Sequence, residues 1–187
     1  MTQNVSEHKI ITEVLSGNTR AFASIMERYA PKVYAMVAGM IGNNDEAADL
    51  TQEIFTKIYT SLFSYKGDSS LSTWIFRISY NMAVSRIRKS SRFDTVSGDD
   101  RFWSGLADSS PDDGEEPEGE ISVDRLYEAL DLLAPDDRVL ISLFYLDGKT
   151  IAEIAQIMSL SETNAKTRLF RIRKKLYKII SNEYKQQ

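Results

Sequence analysis

The chain has no cysteine and a single histidine, His8. Without cysteine there is no disulfide, no thiolate nucleophile and no sulfur-ligated zinc, which fits a reducing compartment. With one histidine, a His/Cys metal site is excluded. A Ser-His pair could form only at His8, and it would still need an orienting third group and a nucleophile in reach. No segment approaches the ~20 apolar residues of a membrane span. The N-terminus "MTQNVSEHKI" has no basic n-region and no apolar run, which argues against a signal peptide. The expectation is a soluble, cytoplasmic protein with no metal and no cofactor. What is present is ordinary in amount: 187 residues, 42% hydrophobic and 27% charged.

The charge is unevenly placed. The whole chain carries a formal net charge of -4. From Asp94 to Glu120 there are ten acids and one base, Arg101, so this stretch alone is -9 and the remainder is +5. It is also rich in Ser, Gly and Pro ("SGDDRFWSGLADSSPDDGEEPEGE"). Low hydrophobicity with high like charge predicts a flexible acidic linker over 94–121, in which only Phe102, Trp103 and Leu106 could dock on something. It separates two units, 6–93 and 122–184.

Both units read as helical. Ala47, Leu50, Ile54, Ile58 and Leu62 recur at spacings of three and four, and "LSTWIFRISYNMAVSRIRK" repeats the pattern. "NTRAFASIMERYAPKVYAMVAGMIG" is helical too, with Pro31 expected to kink or divide it. No alternating strand pattern appears. The fold class is all-α: two small helical domains joined by the acidic linker.

The C-terminal unit carries the sharpest pattern. Thr150 and Glu153 have the capping-box spacing, and Ile151, Ile154, Ala155 and Met158 form one apolar face. "SLS" is a tight turn, and Ser161 can cap the next helix. There Ala165, Leu169, Ile172, Leu176 and Ile179 form a second stripe, with bases on the other faces. A short helix, a turn and a basic helix make a helix-turn-helix, whose second helix enters the major groove. Ser161, Glu162, Thr163, Asn164, Lys166, Thr167 and Arg168 start that helix and are the candidate base readers. Arg171, Arg173, Lys174, Lys175 and Lys178 are candidates for phosphate. A locally positive helix in an acidic chain is what a polyanionic partner requires.

At these residues the chain resembles a family, the bacterial RNA polymerase sigma factors of the extracytoplasmic-function type. The resemblance rests on "AFASIMERYAPKVY", "DLTQEIFTKIY", "STWIFRISYNMAVSRIRK" and "LLAPDDRVLISLFYLDGKTIAEIAQIMSLSETNAKTRLFRIRKKL", in that order. It implies a sigma2-like domain that binds core polymerase and melts the -10 region, and a sigma4-like domain that recognises the -35 element. It implies that Asp49, Gln52 and Glu53, beside Leu50, dock on the polymerase. On a helix whose core face is Leu50/Ile54/Ile58, these three polar residues point outward and are expected to be unpaired. The loop Lys66, Gly67, Asp68, Ser69 and Ser70 matches the family's base-specificity loop, and Asn81 matches a position that reads a flipped base. Arg77, Arg86, Arg88, Lys89 and Arg92 would hold the DNA backbone. Trp74 lies on the apolar stripe, which favours packing, whereas Tyr80 is the candidate for stacking on a base. Many relatives have Thr or Ser at the position of Asn164, so Asn164 is expected to alter the preferred -35 bases.

The implied partners are core RNA polymerase, promoter DNA (duplex at -35, single-stranded at -10) and an anti-sigma factor, with no membrane insertion and no small-molecule substrate. The implied function is a promoter-specificity subunit, not an enzyme. One alternative is a free-standing helix-turn-helix regulator whose first unit is a sensor. That unit would have no use for a "DLTQE" helix followed by a basic, aromatic-bearing one. A DNA-processing enzyme such as a recombinase would need a compact catalytic constellation, and none stands out.

Overall fold

The computed structural model describes residues 2–94 and 123–184. The first stretch holds α1 (Thr2–Leu15), α2 (Ala21–Ile41), α3 (Asn44–Ser61), a 3-10 turn (Leu62–Ser64) and α4 (Leu71–Asp94). The second holds α5 (Val123–Asp131), α6 (Pro135–Tyr145), α7 (Ile151–Met158) and α8 (Glu162–Tyr184). The described residues are helices, turns and loops, with no strand among them. The expected linker, including Phe102, Trp103 and Leu106, lies outside the described residues.

Local chemistry sets the helix ends. Gly42 closes α2 in the left-handed region, at φ 75°, and its N–H donates to the Ala38 carbonyl at 2.9 Å. One residue later Asn43 opens α3, its side chain accepting from the N–H groups of Asp45 and Glu46. Those two acids sit in the first turn, where the helix dipole favours negative charge. Pro31 does not divide α2, which is a single helix from Ala21 to Ile41. Pro31 removes one hydrogen bond, but Ile25 and Tyr29 before it and Val33 and Val37 after it are all buried. Packing on both sides of the proline holds the helix together.

Ala47, Leu50, Ile54 and Ile58 of α3 pack between α2 and α4 as the periodicity predicts. In the second unit Leu140, Leu143, Ile154, Ile157, Ala165 and Ile172 form the corresponding centre. Two register details differ from the sequence reading. The stripe on α8 ends on Ile180 rather than Ile179, and Ile157 of α7 is buried while Ile151 is only half-buried. A strict 4-3-4-3 spacing averages 3.5 residues per turn and drifts against a straight helix, so the last step lengthens to four.

The two units also pack on each other. α4 lies against α7, and α2 lies against α6, so that the two apolar centres are continuous.

Candidate nucleic-acid interface

α7, the turn and α8 form the expected helix-turn-helix. The capping box is complete. Thr150 Oγ1 accepts from the Glu153 N–H at 3.2 Å, and Glu153 Oε2 accepts from the Thr150 N–H at 3.0 Å. Ser159 turns the chain in the left-handed region, at φ 57°. Ser161 Oγ then caps α8 by accepting from the Asn164 N–H. With Ala165, Leu169, Ile172, Leu176 and Ile180 buried, the opposite face is fixed. At ~100° per residue, Thr163, Thr167, Arg171, Lys174 and Lys178 fall within about 80° of one another on it. Asn164 borders this face and is exposed, as are Glu162 and Lys166.

Three of the predicted α8 residues lie toward the other helices of the second unit. Arg168 donates through Nε to Asp137 Oδ1 at 2.6 Å and lies 3.7 Å from Asp136 Oδ2, so it is tied to the start of α6. Arg173 lines an apolar groove of about 390 Å³ between α5, α6 and α8, beside Leu130, Ile141 and Tyr177. Lys175 is exposed and donates to the Leu132 carbonyl at 3.4 Å.

In the first unit, Lys66, Gly67 and Asp68 are exposed on the loop before α4. Gly67 has φ 80°, which a side chain rarely adopts. Tyr65 donates its hydroxyl to the Ser69 carbonyl, and Trp74 is tilted against the Tyr65 ring at 5.4 Å. Trp74 therefore packs, as its place on the stripe suggested. Arg77, Asn81 and Lys89 are exposed along α4, as is the side chain of Arg88. The side chain of Arg92 lies outside the described residues.

Tyr80 is not a stacking residue in this arrangement. It is 2% exposed, and its hydroxyl donates to Asp136 Oδ1 at 3.0 Å. Burial first, and then the Asp136 carboxylate, push its pKa well above the usual phenol value. The sequence reading turned it away from α4's core, but it lies on one helical face with the buried Thr73, Phe76 and Ala83, and Asp136 of the second unit takes its hydroxyl. Leu50 is also corrected. It is 1% exposed, so it fills the core of α3 and offers no surface to a partner.

The contact between the units centres on a lysine that periodicity did not single out. Lys149 precedes α7 and is 8% exposed. Its ammonium donates to the hydroxyls of Ser72 and Thr73 on α4 and to Glu153 Oε1 at 3.1 Å, and it lies over the Phe76 ring. Glu153 Oε1 also accepts from Thr73 at 2.7 Å and from Ser70 at 3.2 Å. Burial alone would raise the Glu153 carboxyl. The Thr150 N–H, the Thr73 hydroxyl and Lys149 outweigh that and hold it down at about 2. Farther along, Lys32 of α2 pairs with Asp147 at 2.7 Å. The Lys149–Glu153 spacing of four is readable in the sequence. The Ser72 and Thr73 partners, more than seventy residues away, are not.

Asp49, Gln52 and Glu53 are exposed on α3 opposite its core face. Glu53 is not unpaired as expected. Arg86 Nη2 reaches both of its carboxylate oxygens at 2.8 Å, and Arg86 Nη1 lies 3.7 Å from Glu46 Oε1. Arg86, grouped by sequence with the DNA-backbone residues, is thus turned onto α3.

Known proteins resemble this chain in sequence and in fold. The family model for Sigma-70 region 2 matches residues 25–93, and that for Sigma-70, region 4 matches residues 124–176. The chain is 33% identical over 176 residues to the ECF RNA polymerase sigma factor SigW of Bacillus subtilis (strain 168), covering 91% of this chain and 94% of that one. It is 31% identical over 183 residues to the ECF RNA polymerase sigma-E factor of Escherichia coli (strain K12), covering 92% and 93%. Among solved structures, the sigma factor RpoE in complex with the anti-sigma factor NepR from Bartonella quintana shares the fold. Its TM-score is 0.66 at 24% identity, covering 87% of this chain and 98% of that one. CnrH in complex with the cytosolic domain of CnrY gives a TM-score of 0.64 at 22% identity, covering 95% and 98%.

Proposed function

The chain belongs to the ECF RNA polymerase sigma factors and is a promoter-specificity subunit; on that premise we propose how its own residues divide the work. The observation that carries the reading is the capped helix-turn-helix, with one basic, polar face of α8 turned outward and clear of the packing. Thr163, Asn164 and Thr167 meet base edges of the -35 duplex, and Arg171, Lys174 and Lys178 hold its phosphates. Arg168 serves the packing of the second unit instead, and the exposed Arg173 borders the apolar groove.

At the -10 element the exposed loop Lys66–Ser69 and Asn81 receive a single-stranded base, while Arg77 and Lys89 hold the backbone. Asp49, Gln52 and Glu53 dock on core polymerase. The polymerase makes the RNA, and this subunit does no chemistry of its own. Its place of work is where polymerase and chromosome are, the cytoplasm. No helix among the described residues is long and apolar enough to cross a membrane. An anti-sigma factor is a further partner, and the apolar groove beside Tyr145 and Leu146 offers a surface to a protein rather than to DNA.

The packing of the units then has a consequence. The -35 and -10 elements lie roughly 25 base pairs apart, or about 85 Å along the duplex at ~3.4 Å per pair. A compact chain of this length has a radius of gyration of about 16 Å. Packed as they are, the units cannot reach both elements. Ser70 and Tyr80 are also engaged by Glu153 and Asp136. The closed arrangement is the form that waits, and the units part when polymerase and promoter are bound.

The reading is tested by transcription from a library of random promoters with core polymerase, with and without this protein. Transcripts that require the protein and share paired motifs near -35 and -10 support it. Tight duplex binding without any binding to core polymerase would transfer the case to a free-standing regulator.

A further inference from the structure

Arg86 is out of place for a residue that grips DNA. Its guanidinium lies against α3 between two carboxylates seven residues apart, Glu46 and Glu53, which two helical turns bring onto one side. It is less exposed, at 29%, than either partner, at 39% and 55%. One nitrogen, Nη2, bonds both oxygens of Glu53 at 2.8 Å. A carboxylate has about four acceptor sites. This bifurcated contact takes one per oxygen and leaves the outer pair free to accept a second donor.

We infer that Arg86 is a positioning residue for polymerase docking: it fixes the Glu53 carboxylate in the geometry a basic partner surface must meet. This rests on the reading of α3 as the polymerase-facing helix. A free glutamate has three rotatable bonds to order on binding, and a long side chain loses rotamer freedom when it is immobilised. Arg86 does that ordering in advance, because its planar guanidinium holds both Glu53 oxygens through Nη2 while Nη1 faces Glu46. It also offsets the mutual repulsion of Asp45, Glu46, Asp49 and Glu53, which crowd the first turns of α3. The two functions of the first unit are joined here by one ion pair, because α4 also carries the -10 candidates.

The experiment is a double-mutant cycle on the full chain. Affinity for core polymerase is measured for wild type, Arg86→Ala, Glu53→Ala and the pair, with thermal unfolding as a control on folding. Exposed charge pairs couple weakly, so the expected loss for Arg86→Ala is about three- to fivefold. The expected loss vanishes when Glu53 is already Ala, and Arg86→Lys, which keeps the charge but not the fork, recovers only part of it. The salt dependence of promoter binding by the assembled holoenzyme stays as in wild type. If Arg86→Ala leaves core affinity unchanged and lowers that salt slope by about one, Arg86 is a phosphate contact and the inference is overturned. If Glu53→Ala alone leaves core affinity unchanged, the docking role of α3 fails first, and the inference with it. An equal loss for Arg86→Ala in both backgrounds also overturns it, because the effect then does not pass through Glu53.

Discussion

The two DNA-facing surfaces of this chain are built in opposite states of readiness. On α8 the outward face, from Thr163 to Lys178, is clear of the packing, and a duplex could reach it without any rearrangement. On α4 the start of the helix is covered. Ser70, Ser72 and Thr73 are bonded to Glu153 and Lys149, and Tyr80 is capped by Asp136. The groups that occupy α4 come from α6, from α7 and from the segment leading into it, the same unit whose α8 face is open. On the proposed reading the free chain can meet a duplex, while capture of a melted strand waits for the units to part. The difference lies in the partner's chemistry. A duplex needs only a convex basic helix, whereas a single strand needs a concave surface, and an unoccupied concave surface in a free protein tends to be filled.

Removing the lysine at the centre of the contact is the largest way to break this asymmetry. Lys149→Met leaves a carboxylate and two hydroxyls without their shared donor. It should destabilise the packing of the units by about 2–3 kcal/mol. Urea unfolding should show it, and binding of single-stranded -10 DNA by the free chain should improve while duplex binding does not. Asn164→Ala tests the open face. It should reduce discrimination at one -35 base pair by about tenfold and leave other positions alone, as read by competition between single-base variants. Tyr80→Phe removes only the hydroxyl that meets Asp136 and should cost about 1 kcal/mol of stability. A stacking role for Tyr80 would instead leave the Phe variant as stable and as active in melting as wild type and appear as a melting defect only in Tyr80→Ala. Lys174→Ala should weaken all duplexes alike and lower the salt slope by about one.

The last effect concerns pH and is confined to an acid window. The Glu153 carboxyl is held at about 2 against an ordinary 4.5. Its folded value is depressed, so its contribution is complete above about 4.5 and is lost as pH falls toward 2. Glu153→Gln should flatten the acid-unfolding curve in that window and leave the curve above it parallel to wild type.

The main helical stripes, the α7 capping box, the Ser161 cap and the helix-turn-helix were legible in the sequence, because each is set by residues three or four apart, whereas the Gly42 and Asn43 caps and the unbroken course of α2 through Pro31 were not. Thr150, Glu153 and Ser161 do what their spacing announces. The errors concern residues whose partners are distant. Tyr80 was expected to face away from its own helix's core, yet it shares a face with the buried Thr73, Phe76 and Ala83, and nothing local announces that Asp136, fifty-six residues on, will accept its hydroxyl. Glu53 looked unpaired because Arg86 is thirty-three residues away. Arg168 and Arg173 share the charge of Arg171, yet they lie at the edges of α8, where α6 and the groove reach them. Periodicity gives a helix its inner and outer faces. It does not say which second surface an outer face will meet, and the -10 side of this chain is defined by that meeting.

The absence of native cysteine makes the central claim directly measurable. Ser24 on α2 and Gln156 on α7 are both exposed and lie in different units. Ser24→Cys and Gln156→Cys give one spin-label pair, whose separation is read by pulsed dipolar spectroscopy. In the free chain the account predicts one short, narrow distance distribution. With core polymerase and a promoter bound it predicts lengthening by tens of ångströms, as the ~85 Å between the two elements demands. A distance that stays short in a complex actively melting its promoter would contradict the account.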